Sequence, residues 1–585
     1  MAKGAAVGAK QVQCSGGSGG GGQGEQQQQQ QGGGGGGGAA SVAAGRVGVI
    51  GRVVGYSKLK VVIVVVCVCS CLYGLSLLLL SPWACSRVFQ SDDCSPVLGL
   101  MFSTSSSNSM PSLFNHQAAT HLRHTPYHNG HANFLASGFN ADLPASSSLA
   151  CAAAAQKNKT GTDISRIVFG IAAASETWIK GRREYVKLWW KPENKMRGYV
   201  WLEKEITEGT WGEEYPPFQV SEDTTNFEYT NSWGGRDALR ISRIVSETFR
   251  LGLPDVDWFV MGDDDTVFFT ENLVQVLSKY DHTKPFYVGY ASESHRENII
   301  FSFEMAFGGA GYAISYPLAK ELANIQDSCI RRYPHFFGGD DRMYACMAEL
   351  GVPLTKEPGF HQLDIRRDAM GILAAHPVAP LVSLHHLDFI PEIYPKTTTK
   401  SFSQIEAVEY LLDAAVVDPG SILQQSICYD RNQDWSISVS WGYVVEVYKG
   451  FISPLELQRP ARTFLSWYHE NEAGTFSLNV REIAAEVCQR PTRFFLEDIQ
   501  GPQAELNGLM EGVFLKLEDP EQSECDEKLM PLSVVKTVRV LKEPLDPSWY
   551  QSPQRSCCRI EHWRRDKIDI HVGACREGES LLGAD

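Results

Sequence analysis

Val256-Asp257-Trp258-Phe259-Val260-Met261-Gly262-Asp263-Asp264-Asp265-Thr266-Val267 sets an apolar run rich in Val, Phe and Trp directly before three adjacent carboxylates. The run has the length and residue types of a strand buried in an α/β sheet. Ligands collect at the carboxyl ends of such strands, which is where Asp263, Asp264 and Asp265 fall. Three neighbouring like charges repel one another, so a divalent cation held through oxygen accounts for the cluster. An acidic turn accounts for it too, because Gly-Asp-Asp also suits a loop.

Outward from this stretch, strand and helix patterns alternate. Residues 166–172 and 198–202 read as strands, and Ile241, Ile244, Val245 and Phe249 recur at helical spacing behind a cap at Asp237. Leu273, Val276, Leu277 and Tyr280 do the same behind Thr270. The β-α-β-α order predicts an α/β fold with a mainly parallel, Rossmann-like sheet covered by helices. Arg182, Arg183 and Lys187 stand among aromatics at 178–190, as on a helix beside an anionic ligand or on a solvated basic face. Gly308, Gly309 and Gly311 precede a short apolar strand, where they permit close backbone approach to a ligand or serve an ordinary turn. Pro317 then suits the first turn of another helix. Gly339-Asp340-Asp341 opens the helical pattern at 343–350; one carboxylate caps that helix and the other is free to act as a general base. His385 and His386 lie beside apolar residues, either as hydrogen-bonded core imidazoles or as ligands.

The chain has 585 residues, 43% of them hydrophobic, and a net charge of −15, which argues against a nucleic-acid partner. Residues 1–57 hold a glutamine run and a glycine run and read as a disordered cytosolic tail. Residues 61–80 carry no charge over a length that crosses a bilayer, which predicts a signal-anchor transmembrane helix within 58–82. Arg46, Arg52, Lys58 and Lys60 precede it, so the positive-inside rule leaves the rest of the chain lumenal. Residues 83–160 read as a flexible stem whose five histidines lack a framework to bind metal, and Asn158 opens an N-glycosylation sequon. Folded character is expected over 161–400 and, with a different texture, over 401–585. Cys428, Cys488, Cys525, Cys557, Cys558 and Cys575 show no paired zinc spacing and suit disulfides, with the pairing open. Residues 435–441 alternate like a strand with one buried face, while Phe464, Trp467 and Tyr468 suit either a core or a sugar-stacking platform.

Taken together and in order, Asp263-Asp264-Asp265, Gly308-Gly309-Ala310-Gly311, Gly339-Asp340-Asp341 and His385-His386-Leu387-Asp388 resemble the fringe-like β-1,3-glycosyltransferases, above all the plant fringe-related proteins that carry a domain of unknown function. The resemblance covers roughly residues 165 to 400. It implies an A-type glycosyltransferase fold and inverting transfer of a hexose or N-acetylhexosamine from a UDP-sugar to a glycan or glycoconjugate hydroxyl, with a β-1,3 linkage. Manganese is the implied cofactor. By the same resemblance Asp265 holds the metal, Asp263 and Asp264 position ribose and sugar, and Gly309 and Gly311 let the backbone approach the donor. His386 matches the metal-binding histidine with His385 as alternate, and Asp341 matches the base with Asp340 as alternate. A lumenal domain at the Golgi membrane, in a single-pass type II protein, follows from the family and the topology. A catalytically inactive fringe-like carbohydrate-binding or scaffold protein is the alternative. The resemblance stops before 401–585, read as a disulfide-supported, β-containing extension that helps define the acceptor.

Overall fold

The computed structural model describes residues 161–206, 211–390, 393–395, 401–518, 532–564 and 566–582. Strands run in chain order as β1 Ile167–Ala172, β2 Arg197–Leu202, β3 Phe218–Val220, β4 Trp258–Asp263, β5 Val267–Phe268, β6 Tyr287–Gly289, β7 Tyr312–Ser315 and β8 Leu354–Lys356. All but β5 join one sheet in the order β3-β2-β1-β4-β7-β6-β8. Successive side chains of a strand point to opposite faces, and both faces here are buried. Ile167, Phe169 and Ile171 of β1 and Trp258 and Val260 of β4 enter one apolar cluster, while Val168, Phe259 and Met261 enter another. That explains the unbroken apolar run of β4, since a strand covered on both sides has no polar face to alternate with.

Helices supply the two covers. α1 Arg183–Trp189 and α3 Thr270–Leu277 contribute Val186, Trp189, Leu273, Val276 and Leu277 to the first cluster. α2 Asp237–Arg250, α4 Tyr316–Arg332 and α5 Gly339–Glu349 contribute Ile244, Leu318, Leu322, Met343 and Met347 to the second. Each such fully buried side chain stabilises the fold by about 1.5–3 kcal/mol. Asp237 and Thr270 stand at the first helical position and make no capping bond, whereas Pro317 lies in the first turn of α4 as its fixed φ favours. The disulfide Cys329–Cys346 joins α4 to α5.

Two features depart from the expected fold class, the antiparallel strand β7 and the closed C-terminal barrel. β7 runs antiparallel to both of its neighbours, so the sheet is mixed where β4 meets it. Among the described residues no helix is long and apolar enough to cross a membrane; the anticipated span at 61–80, like the tail, the stem and Asn158, lies outside those residues. The C-terminal region is more than β-containing, because it closes into an eight-stranded barrel.

Two small sheets complete the α/β part and link it to the next. β11 Ser383–Leu384 pairs with β5 on one side and β9 Phe360–His361 on the other, and β10 Ile365–Arg366 pairs across the domain boundary with β15 Leu465–Ser466. The barrel strands are β12 Gln425–Asp430, β13 Trp435–Ser440, β14 Val444–Lys449, β16 Thr492–Gln503, β17 Leu509–Lys516, β18 Thr537–Lys542, β19 Cys557–Arg564 and β20 Lys567–Gly573, with β19 closing back onto β12. Cys428–Cys558 cross-links that seam, Cys557–Cys575 ties β19 to the residues just after β20, and Cys488 is disulfide-bonded as well. Ile437, Val439 and Val444 belong to the same apolar cluster as Phe169 and Trp258, so one core runs through both parts. The polar face of β13 is buried too. Ser440 Oγ donates to Leu373 O at 2.8 Å and Ser438 Oγ accepts from Gln425 at 2.8 Å, because the α/β domain and the Gln425 amide cover the face that alternation alone leaves to solvent.

Candidate active site

The carboxylate cluster sits at the end of β4, opposite the last residue of β1: Ala172 pairs with Asp263, and Asp264 N donates to Ala172 O at 3.0 Å. Thr266 fastens the turn. Its hydroxyl accepts from Asp263 N at 2.8 Å and donates to Gly309 O at 2.8 Å, while Trp189 Nε1 donates to its carbonyl at 2.9 Å. Asp264 and Asp265 are fully buried as a result, and a buried carboxylate needs compensation. Arg182 supplies it. One guanidinium nitrogen lies 3.1 Å from Asp264 Oδ1 and 3.0 Å from Asp265 Oδ1, and the other lies 3.0 Å from Asp388 Oδ2. Thr177 donates to Asp264 at 3.1 Å and Tyr185 to Asp388 at 2.7 Å. Of the three cations singled out near Trp178, Arg182 belongs to the site; Arg183 pairs with Glu184 and Lys187 faces solvent.

β11 delivers the histidines. His385 Nε2 lies 3.2 Å from Asp265 Oδ1 and 3.7 Å from Asp263 Oδ2, and its Nδ1 faces Gln362 O at 3.3 Å. His386 has a left-handed backbone, φ 53°, which ends the strand and turns its Nδ1 to Asp364 Oδ1 at 3.0 Å. Ser292 Oγ donates to the other oxygen of Asp364 at 2.5 Å. Trp467, next to β15, stacks on His386 with centroids 4.6 Å apart and planes 11° apart, under the Arg366 guanidinium at 3.7 Å. The geometry therefore brings His385 and not His386 to the carboxylates; His386 is held one layer behind.

Asp263, Asp265 and His385 offer one ligand atom each within 4.8 Å of one another. Both carboxylate oxygens of Asp265 and the Nε2 of His385 are buried without a well-directed hydrogen bond, as expected of a donor set that suits a cation. Burial alone raises a carboxyl, but the His385 and Arg182 charges outweigh it and hold Asp265 well below the usual range. Burial likewise disfavours charge on His385, yet Asp265 and Asp263 raise it to about 8. His386, desolvated and beside that charge, is pushed down.

The glycine loop serves the protein's own side chains. A Cβ on Gly309 would lie 2.1 Å from His385 Cε1, and one on Gly308 would lie 2.5 Å from Asp340 Oδ1. Gly311 has φ 82°, and a Cβ there would meet Phe268 at 2.7 Å. The missing Cβ atoms of Gly309 and Gly311 thus leave room for His385 and Phe268.

Asp341 and Asp340 divide as cap and free carboxyl. Asp341 accepts from the backbone N–H groups of Phe337, Gly338 and Arg342 at 2.8, 3.0 and 2.9 Å, closing the N-terminus of α5. Asp340 accepts from Gly308 N at 2.9 Å and shares a hollow with Asp263, Gly308 and Tyr312. Burial first, then the charges of Asp263 and Asp341, push it up to about 7. The carboxyl open to the site is therefore Asp340.

Gln362, Asp364 and Tyr185 join the site without having been singled out; each is one polar residue in an otherwise ordinary stretch and becomes visible only through its partner. Trp467 has a role other than a sugar platform, and Phe464 packs internally on Phe476.

A family model described as "Protein of unknown function, DUF604" matches residues 297–558. A mouse beta-1,3-glucosyltransferase is 31% identical over 140 residues, 23% of this chain and 26% of that protein. The Xenopus laevis beta-1,3-N-acetylglucosaminyltransferase lunatic fringe is 25% identical over 231 residues, 36% of this chain and 56% of that protein. Its Danio rerio counterpart is 31% identical over 123 residues, 18% of this chain and 32% of that protein. The chain thus spans between about a quarter and just over a half of these relatives.

Proposed function

We propose, from the premise that this chain is a relative of the fringe-like β-1,3-glycosyltransferases, that it is itself an inverting transferase. Its donor is a UDP-linked hexose or N-acetylhexosamine, and its acceptor is a glycan or glycoconjugate hydroxyl that becomes β-1,3 linked. The observation that carries this reading is the buried Asp263–Asp265–His385 cluster at the end of β4, beside the free carboxyl of Asp340.

Asp263, Asp265 and His385 would hold a divalent cation, for which manganese is the family's choice. When bound, that ion would act as a Lewis acid on the departing diphosphate. Arg182 favours the charged form of Asp265 and holds both Asp264 and Asp265 in place. Asp364 orients His386, and His386 with Trp467 backs the ring of His385. Asp340, not tied to a helix cap, is the group placed to take the proton of the attacking hydroxyl. The disulfides around β12 and β19 suit an oxidising lumen, in keeping with a Golgi setting.

The test is a panel of UDP-sugars offered to the purified full-length protein with and without manganese. Manganese-dependent binding and hydrolysis or transfer of one donor is expected, lost in His385→Ala. Absence of binding to every donor would overturn the transferase reading in favour of a catalytically inactive carbohydrate-binding protein.

A further inference from the structure

Away from the carboxylate cluster, the α/β domain and the C-terminal region enclose a pocket of about 400 Å³, large enough for a small organic ligand. Tyr290, Glu293 and His361 line it from one side, and Leu478, Asn479 and Arg555 from the other.

The charges on its wall do not cancel. Glu293 is committed: its carboxylate lies 2.9 Å from His361 Nδ1 and accepts from Leu363 N at 2.7 Å. His361 Nε2 lies 2.9 Å from His376 Nε2, and His376 Nδ1 faces the carbonyl of Pro377 at 2.8 Å. A carbonyl only accepts, so His376 donates from Nδ1 and accepts at Nε2. Glu293 and His361 are thus satisfied within the wall, by each other and by Leu363 N and His376. Arg459 is paired with Glu456 at 2.9 Å. Arg555 alone is left. It donates to the carbonyl of Gln425 at 3.3 Å, and among the described residues no carboxylate lies within ion-pair reach of it. A half-buried guanidinium lacking a counter-ion is costly unless a ligand provides one, and its planar fork matches a carboxylate. The remaining wall, apolar at Ile372 and Leu478 and polar at Asn479, suits a sugar ring with its hydroxyls.

We propose that this pocket binds a hexuronic acid residue through Arg555. In the transferase reading, on which this assignment rests for its meaning though not for its binding, the residue belongs to the acceptor glycan. Phosphate, which the same fork also matches, is the competing occupant, and the apolar and polar wall at Ile372, Leu478 and Asn479 favours the sugar acid over it.

Titrating the full-length protein with glucuronic acid, glucose and inorganic phosphate, followed by ligand-detected NMR, tests the assignment. Glucuronic acid should bind about tenfold or more tightly than glucose or phosphate, as expected for one charge-assisted pair. Arg555→Gln should erase the preference and Arg555→Lys should retain part of it, with unchanged melting temperatures. Equal binding of glucose, binding of phosphate as tight as that of glucuronic acid, or indifference to Arg555→Gln would each overturn it. Asp265→Ala should leave glucuronic acid binding untouched. Manganese-dependent UDP binding, measured in the same samples, reports separately on the donor reading.

Discussion

His385 and Asp265 face each other across 3.2 Å, fully buried, from strands that are distant in sequence. The adjacent imidazole of His386 is turned to Asp364 instead. His385→Ala should therefore abolish saturable manganese binding, whereas His386→Ala should weaken it by about 10- to 100-fold, as is typical of partners that orient a ligand. Manganese titration followed by electron paramagnetic resonance checks this. A larger loss in His386→Ala than in His385→Ala would reverse the assignment.

Asp341 and Asp340 should separate stability from transfer. Asp341→Asn weakens the closure of α5 and should cost about 0.5–2 kcal/mol in chemical denaturation while leaving measurable turnover. Asp340→Asn keeps the cap and should lower transfer by about 10²–10⁴-fold with donor binding intact. Unimpaired transfer by Asp340→Asn would remove that carboxyl from the reaction.

Gly309→Ala touches no ligand atom, yet its Cβ would lie 2.1 Å from the His385 ring. The imidazole has to move, so manganese affinity should fall although all three donor side chains remain. Unchanged affinity in a folded variant would show that His385 is free to shift.

Glu297 is fully buried and accepts from Tyr468 Oη; burial and the charge of Asp364 push its carboxyl up to about 8. The folded state holds this proton more tightly than the unfolded chain, so the associated stability is complete below about pH 4.5 and drains away as pH rises toward 8, by about 1.4 kcal/mol per unit. Glu297→Gln carries no such titration. Its melting temperature in metal-free buffer should gain on the parent protein between pH 5 and 8, and parallel curves for the two would refute the shift.

Much of the α/β part is legible in the chain because its signals are local. The apolar run of β4, the helical spacing in α2 and α3, and Pro317 at the start of α4 each declare themselves within a dozen residues. The barrel is not legible in this way: β12 meets β19 and β18 meets β20 through parallel pairings between distant segments, and a period-2 pattern does not say which strand lies beside which. The serines of β13 show the same limit, since alternation marks a polar face but not what covers it.

The sequence by itself determined the inventory of the site: three carboxylates after a buried strand, a glycine loop, an Asp pair before a helix and two histidines in a row. Which member of each pair acts was decided by tertiary structure. A left-handed turn at His386 leaves His385 on the carboxylates, the position of the α5 cap takes Asp341 and leaves Asp340 free, and Arg182 arrives from a helix beside β1 to balance charges that β4 could not bury alone. The physical reason is that residue type records what a group can do, whereas its partner, and with it its charge and hydrogen bonds, is set by contacts between distant segments that exist only once the core is packed.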